Sequence, residues 1–412
     1  MNYLYISFFL PPLGGAEPRH NLSVIRRLYA RGYTPLAVTA PLDFDHPRDP
    51  ALEALLPEGT RLRRVRWGGK KYGGRVREIC GVPANPLGFG RWRRLYRAAR
   101  DEIRTGSPAF IYSVHGIGAA HLAALRLKRD TGLPWVAEFR DPWSQNAIAW
   151  RYMRDKSWRW WYRACLARTR SLTARVAKEA DLIVVESPMH GDALVADFGA
   201  QRNKVVSHGM GFEPDYFTDR AVDVVDLPRR PVIGYLGYVY YGHEQVVGNF
   251  VAALRKLEQR GVRFTLLTAG DGSGLFSRCA IEAGLESHVP LARLPLTTAL
   301  SLMRQLDFGL VCRIPEDRCN INSKLWEYLQ AGVSLLALVP PDGAMAALIE
   351  EGACGYMLPY DADAMAGAIS HALEDFRAGT TQRASPEFVA RYSSERIVDA
   401  LASKIREIVG PR

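Results

Sequence analysis

The chain reads as an α/β protein built from two doubly wound, Rossmann-like domains facing a central cleft. Three observations predict this. Short apolar runs alternate with segments of helical period, the pattern of parallel strands joined by crossover helices. The alternation occurs twice, on either side of a polar, proline-containing stretch at 218–230. At 412 residues the chain is long enough for two separate cores.

In the first half, apolar runs at 3–9, 34–39, 110–114, 135–139, 182–185 and 204–207 are expected strands. Helical patterns at 19–31, 118–131 and 157–180 lie between several of them. In the second half, strands are expected at 231–237, 264–269, 308–312 and 334–339. Helices are expected at 244–260, 296–305, 323–331 and 344–351. The expected organisation is an N-terminal domain over 1–215, a linker over 216–230 and a C-terminal domain over 231–392. A last helix over 393–412 is expected to pack back on the N-terminal domain.

Hydrophobic residues make up 48% of the chain and charged residues 24%, an ordinary globular balance without low-complexity tracts. The opening ten residues are apolar but lack a basic leader and are too short to span a bilayer. A first strand is therefore expected rather than a signal peptide. Six scattered cysteines without metal-ligand spacing are expected to be plain thiols in a reducing cytosol.

The charge is unevenly placed. Between Arg61 and Arg104, fourteen basic residues face only Glu78, Asp101 and Glu102, a net +11 equal to that of the whole chain. A second cluster over 150–175 interleaves arginines with Trp150, Trp158, Trp160 and Trp161. Solvated helices, an anionic lipid surface and nucleic acid all fit such clusters. Interleaved Trp and Arg favour the membrane interface among the ligands, since indole sits at headgroup depth. The expected location is cytoplasmic, with peripheral contact to the inner membrane face through 61–104 and 150–175.

The segment Asn322-Ser323-Lys324-Leu325-Trp326-Glu327-Tyr328 places a cation and a carboxylate on the first turns of a helix, above apolar anchors. Helix-start amides and Lys324 suit a phosphate, and Glu327 can accept hydrogen bonds from sugar hydroxyls. An amphipathic helix with a surface Lys and Glu is the simpler alternative for this segment alone.

Loops after the expected strands form an ordered series. They are Pro11-Pro12-Leu13-Gly14-Gly15, Glu138-Phe139-Arg140-Asp141-Pro142-Trp143, Asp181 to Ser187, Gly234-Tyr235-Leu236-Gly237, Gly270 to Gly274, and Ser323 to Gly332. The series resembles a family 4-type, retaining glycosyltransferase of the two-Rossmann-domain, B-type fold, over nearly the whole chain. That resemblance implies a nucleotide-sugar donor, UDP-linked by preference, held by the C-terminal domain. It implies a saccharide or lipid-linked acceptor on the N-terminal domain, retention at the anomeric carbon, no obligate metal and no nucleic-acid partner. The one Asp-x-Asp, Asp43-Phe44-Asp45, lies far in sequence from the donor motifs.

Carried onto this sequence, the resemblance makes Gly14, Gly15, Gly237, Tyr238, Arg293, Arg313, Asn322, Ser323, Lys324 and Glu327 candidate donor contacts. Arg140, Asp141 and His115 become candidate catalytic residues, with His121 a second acceptor-side base. Two departures stand out. The stretch Gly237-Tyr238-Val239-Tyr240-Tyr241-Gly242-His243 lacks both cations of the family's Gly-Arg…Lys element. Cys319 occupies the place of the first of its paired glutamates. Phosphate charge would then fall to Lys324, Arg313, Arg318 or helix-start amides. A sugar-nucleotide epimerase and a non-catalytic nucleotide-sugar-binding relative are the alternative functions.

Overall fold

Every strand among the described residues pairs in parallel with its neighbours, as buried apolar strands separated by crossover helices must. The computed structural model describes residues 1–42, 46–66, 91–115, 118–142, 159–209, 211–216, 230–239, 242–270 and 274–410. Side chains at 91, 115, 159–162, 165 and 216 fall outside the described set. The chain divides into two compact units, 1–210 with 394–412, and 211–393. Most of the expected linker, residues 67–90 of the first basic cluster and 150–158 of the second lie outside the described residues, as does Asp43-Phe44-Asp45.

The first unit carries strands β1 (Asn2–Ser7), β2 (Thr34–Thr39), β3 (Arg61–Arg64), β4 (Ile111–His115), β5 (Trp135–Phe139), β6 (Leu182–Val185) and β7 (Val205–Ser207). Their order in the sheet is β3-β2-β1-β4-β5-β6-β7, so the winding reverses between β1 and β4. Strand β1 shows why the sheet is covered on both faces. Leu4 and Ile6 enter one apolar cluster, with helices α2 (Arg91–Gly106) and α3 (Ala119–Thr131). Tyr3 and Tyr5 enter the other, with α1 (Ala16–Tyr29). Helices α4 (Arg159–Glu179) and α5 (Pro188–Phe198) complete the crossovers.

The second unit has β8 (Val232–Leu236), β9 (Thr265–Ala269), β10 (His288–Leu291), β11 (Phe308–Cys312), β12 (Ser334–Leu338) and β13 (Gly355–Met357). Their order is β10-β9-β8-β11-β12-β13, with the reversal between β8 and β11. Its helices are α6 (Glu244–Gln259), α7 (Leu275–Ala283), α8 (Leu296–Met303), α9 (Ser323–Gln330), α10 (Ala344–Gly352), α11 (Ala362–Ala378) and α12 (Pro386–Ala390).

The last helix, α13 (Ser394–Val409), belongs to the first unit. Val398, Leu401, Ala402 and Ile405 form a stripe at helical spacing and join the cluster of Tyr3 and Tyr5. Arg27 pairs with Glu395 at 2.9 Å, and Arg31 pairs with Asp399. Two strands fall outside the sequence alternation, each for its own reason. Strand β3 reads Arg-Leu-Arg-Arg because it is an edge, exposed on alternate residues. Strand β13 is three residues long and carries too little period to read.

Candidate functional site

In open α/β sheets the loops diverge where the winding reverses, and the strands' carboxyl ends leave a crevice there. In the second unit this point lies between β8 and β11, and it brings Gly237 and Lys324 together. Gly237 follows β8 at φ +130, and a Cβ on it would stand 2.5 Å from Lys324 Cε and 2.8 Å from Nζ. Lys324 lies in the space that only a glycine leaves. Its Nζ sits 4.9 Å from the centroid of the Tyr235 ring, and the residue is 9% exposed. Gly270, after β9, belongs to the same place. A Cβ there would approach the Cα of Gly237 to 3.8 Å and that of Arg293 to 3.9 Å. Three strand-end loops and the start of α9 thus converge.

The helix is held in position by its own sequence. Asn322 caps α9 by accepting from the Lys324 backbone N–H at 3.1 Å. Tyr328 donates to the Gly234 carbonyl and accepts from the Leu236 N–H, both at 3.1 Å, which bolts α9 to β8. Gly309 makes room for that ring, since a Cβ there would meet it at 2.6 Å. Leu325 and Trp326 are buried, and Trp326 packs on Tyr392 with ring centroids 4.4 Å apart. The apolar residues are anchors, while Ser323 and Glu327 are partly exposed at the helix start.

Among the other expected cations, Arg313 pairs with buried Asp317 at 3.2 Å, and its carbonyl accepts from Tyr360. Arg318 pairs with Asp342 at 3.0 Å, both exposed. Both are engaged with carboxylates, and Lys324 stands at the convergence, against Gly237. Arg293 is exposed, and its backbone rather than its guanidinium borders the site. Tyr238 is 52% exposed, with its carbonyl accepting from the Tyr235 hydroxyl at 2.9 Å. Cys319 brings no charge, because burial pushes its thiol up to about 11.

In the first unit, the Gly14 N–H donates to the Pro47 carbonyl at 2.7 Å, and its own carbonyl contacts His46 Nε2 at 2.9 Å. As a candidate donor contact through its N–H, Gly14 is corrected: that donor is spent on its own loop. Gly15 instead precedes α1 at φ +104, exposed, with nothing within 4 Å of a Cβ position.

Arg140 is buried between Glu138 at 3.6 Å and Glu186 at 3.8 Å. Glu138 is 1% exposed, 2.5 Å from His20 Nε2 and 2.6 Å from the Tyr112 hydroxyl. Burial opposes its ionisation, but His20, by its charge once protonated in acid and by its hydrogen bond, and then Arg140 outweigh this and hold it well below the usual carboxylate range. His20 is pushed down to about 4 by burial and by Arg140, so it is neutral at neutral pH and serves Glu138 as a hydrogen-bond donor. Glu17 is held well above the usual range, first by burial and next by the charge of exposed Asp141. Glu17, His20, Glu138, Glu186 and His208 are the residues that sequence reasoning missed. Glu138 and Glu186 stood in the motifs, two residues before Arg140 and one after β6, and that placement was the available signal.

His115 ends β4, but its side chain lies outside the described residues. His121 is corrected from an acceptor-side base to a core residue. It is fully buried, its Nδ1 lies 2.8 Å from the Ser113 hydroxyl, and burial pushes it down to about 3. With His20 and with His190, also near 4, it predicts acid sensitivity. A histidine lowered on folding binds fewer protons folded than unfolded below pH ~6.5. Its contribution is therefore present above that value and is lost as pH falls toward the folded one. Urea denaturation should lose about 1 kcal/mol per histidine between neutral pH and pH ~5.5. A flat profile over that interval would refute the assignment.

Two doubly wound parallel sheets, each with its loops converging at a winding reversal, define a B-type glycosyltransferase fold. Residues 13–213 match the family model described as Glycosyltransferase Family 4, so the first unit is a family 4-type glycosyltransferase domain. No curated protein matches the chain at the sequence level. Among solved structures, the sucrose-phosphate synthase of Thermosynechococcus elongatus aligns with a TM-score of 0.72 at 15% identity, covering 99% of this chain and 98% of that one. HepE of Anabaena in complex with UDP aligns at 0.68 and 16% identity, covering 99% and 100%. A structure named as a UDP-N-acetylglucosamine 2-epimerase, from Listeria monocytogenes, aligns at 0.61 and 12% identity, covering 98% and 96%.

Proposed function

We propose that the protein is a retaining glycosyltransferase that moves a hexosyl or N-acetylhexosaminyl group from a nucleotide sugar to a saccharide or lipid-linked acceptor in glycoconjugate biosynthesis. The observation that carries this reading is Lys324 lying against Gly237 at the strand ends of the second unit. A departing nucleoside diphosphate develops negative charge, and a nearly buried ammonium beside helix-start amides meets it. Glu327, one turn into α9, would accept from ribose hydroxyls, while Ser323 and Arg293 border the nucleotide. UDP is the favoured nucleotide, supported by its presence in HepE. Retention follows the family resemblance, in which the leaving phosphate takes the acceptor's proton. Lys324 and the amides supply the counter-charge, so turnover should survive removal of divalent ions. Calorimetry against UDP-, GDP- and dTDP-sugars tests the reading; absence of binding by every donor would end it.

The first unit would hold the acceptor near Gly15, Arg140 and Asp141. An anionic membrane face would bring lipid-linked acceptors within reach. On α2, Arg93, Arg97, Arg100 and Arg104 are exposed at spacings that share one helix face. No helix among the described residues is long and apolar enough to cross a membrane. Vesicles containing phosphatidylglycerol should therefore sediment the protein at low salt, and the fourfold Arg→Gln variant should stay in solution. Binding to neutral phosphatidylcholine alone would contradict the charge mechanism. The arginine face is read as a lipid contact, without a nucleic-acid role.

An epimerase is the second reading, favoured by the buried His20–Glu138 pair and by the Listeria structure. Incubation of a UDP-sugar without acceptor distinguishes the two, because only an epimerase returns a changed sugar still attached to UDP. Nucleotide binding without turnover on any acceptor would instead mark a non-catalytic relative.

A further inference from the structure

Tyr235 lies on β8, which pairs with β9 on one side and β11 on the other, and its register opposite Thr268 fixes it within the second sheet. The residue is buried, and its ring packs on Phe276 with centroids 4.9 Å apart. Any large apolar side chain would serve that packing. Two further contacts use the aromatic face and the hydroxyl. Lys324 Nζ lies 4.9 Å from the ring centroid, within the range at which an aromatic face attracts a cation. The hydroxyl donates to the Tyr238 carbonyl at 2.9 Å, in the loop that follows β8.

A lysine that meets an anionic ligand has two requirements that oppose each other. Its long stem must be ordered before the ligand arrives, or the ordering cost is taken from the binding energy. Its charge must also stay available, and a carboxylate partner would order the stem and cancel the charge together. An aromatic face orders the ammonium through its quadrupole and carries no net charge. Gly237 adjoins the same stem, leaving room for Cε and Nζ where a Cβ would stand. Burial pushes the Cys312 thiol up to about 11, against the pull of Lys324, Arg313 and the Tyr235 hydrogen bond, so it stays neutral beside them. Ring, glycine and thiol thus confine the ammonium with no charge of their own.

We propose that Tyr235 is a positioning residue for the donor's diphosphate: its ring face holds the Lys324 ammonium at the strand ends without neutralising it, so the full charge is offered to the leaving group. This rests on the donor reading of the second unit and adds the residue that makes its cation effective. Because β8 lies inside the sheet, the ring is a fixed platform, and the mobile partner of the pair is the lysine. The hydroxyl ties that platform to the loop whose Tyr238 side chain is exposed.

Titration calorimetry with UDP on the full chain tests this by changing the charge of the ring rather than removing the ring. Tyr235→Phe keeps the aromatic face and should keep most of the affinity. Trifluorophenylalanine at position 235 keeps nearly the same shape but withdraws negative charge from the face, so the packing on Phe276 is preserved. It should bind UDP about 3- to 10-fold more weakly than Tyr235→Phe. The same exchange of rings in a Lys324→Met background should change nothing, because Tyr235 acts through the ammonium. Equal affinity of the two rings with Lys324 present overturns the inference and leaves the donor reading in place. A loss that persists in full in the Lys324→Met background also overturns it, since the ring would then act through packing alone. Absence of UDP binding by the wild type removes the donor reading and this inference together.

Discussion

Lys324→Ala is expected to weaken UDP binding by ~1–3 kcal/mol, about 5- to 150-fold, while the melting temperature barely changes. The ammonium lies over Tyr235 and against Gly237, and the flanking cations Arg313 and Arg318 are held by Asp317 and Asp342. Gly237→Ala should reproduce much of the loss with Lys324 intact, because its Cβ would occupy the space of Lys324 Cε. The backbone at φ +130 adds strain of its own, on the order of 1–3 kcal/mol. Glu327→Ala should cost a further ~1–3 kcal/mol if the carboxylate receives ribose hydroxyls. Titration calorimetry decides the matter, and unchanged affinity in Lys324→Ala would remove the centre of the donor assignment.

Glu138→Leu is expected to destabilise the first unit by ~3–5 kcal/mol, the largest single effect anticipated. The substitution removes the acceptor for His20 and Tyr112 and leaves buried Arg140 facing Glu186 at 3.8 Å. Two donors left without an acceptor in the interior, and the loss of the nearer of the two carboxylates of Arg140, cost more than the attraction itself, because these groups have no water to turn to. Glu138→Gln, which keeps an accepting oxygen, should lose less. Because the folded carboxyl lies below its unfolded value, its contribution is full above pH ~4.5 and is lost as pH falls through the folded value. The gap between wild type and Glu138→Gln should therefore narrow in acid. Equal denaturation midpoints at neutral pH would show that Glu138 is not the counter-ion of Arg140.

The strands that position both regions were legible because parallel strands covered on both faces are apolar throughout, as at 135–139 and 308–312. The surroundings of Lys324 were legible for a local reason. Capping residue, cation, anchors and carboxylate all lie within one helix start, and the helix geometry fixes their directions. Arg313 was misjudged because its partner Asp317 lies in an irregular loop, where spacing says nothing about direction. Gly14 looked equivalent to Gly15, and only the contact with Pro47 separates them.

The sequence by itself determined the two alternating α/β series, the order of the strand-end loops and the chemistry of the start of α9. These depend on near neighbours in the chain and on periodic burial. Tertiary structure alone decided that Gly237 shelters Lys324, 87 positions away, and that His20 meets Glu138 across 118 positions. Those contacts exist because parallel winding brings distant strand ends to one edge of each sheet. Which polar groups meet there depends on strand order, and that order is not written in any local stretch of sequence.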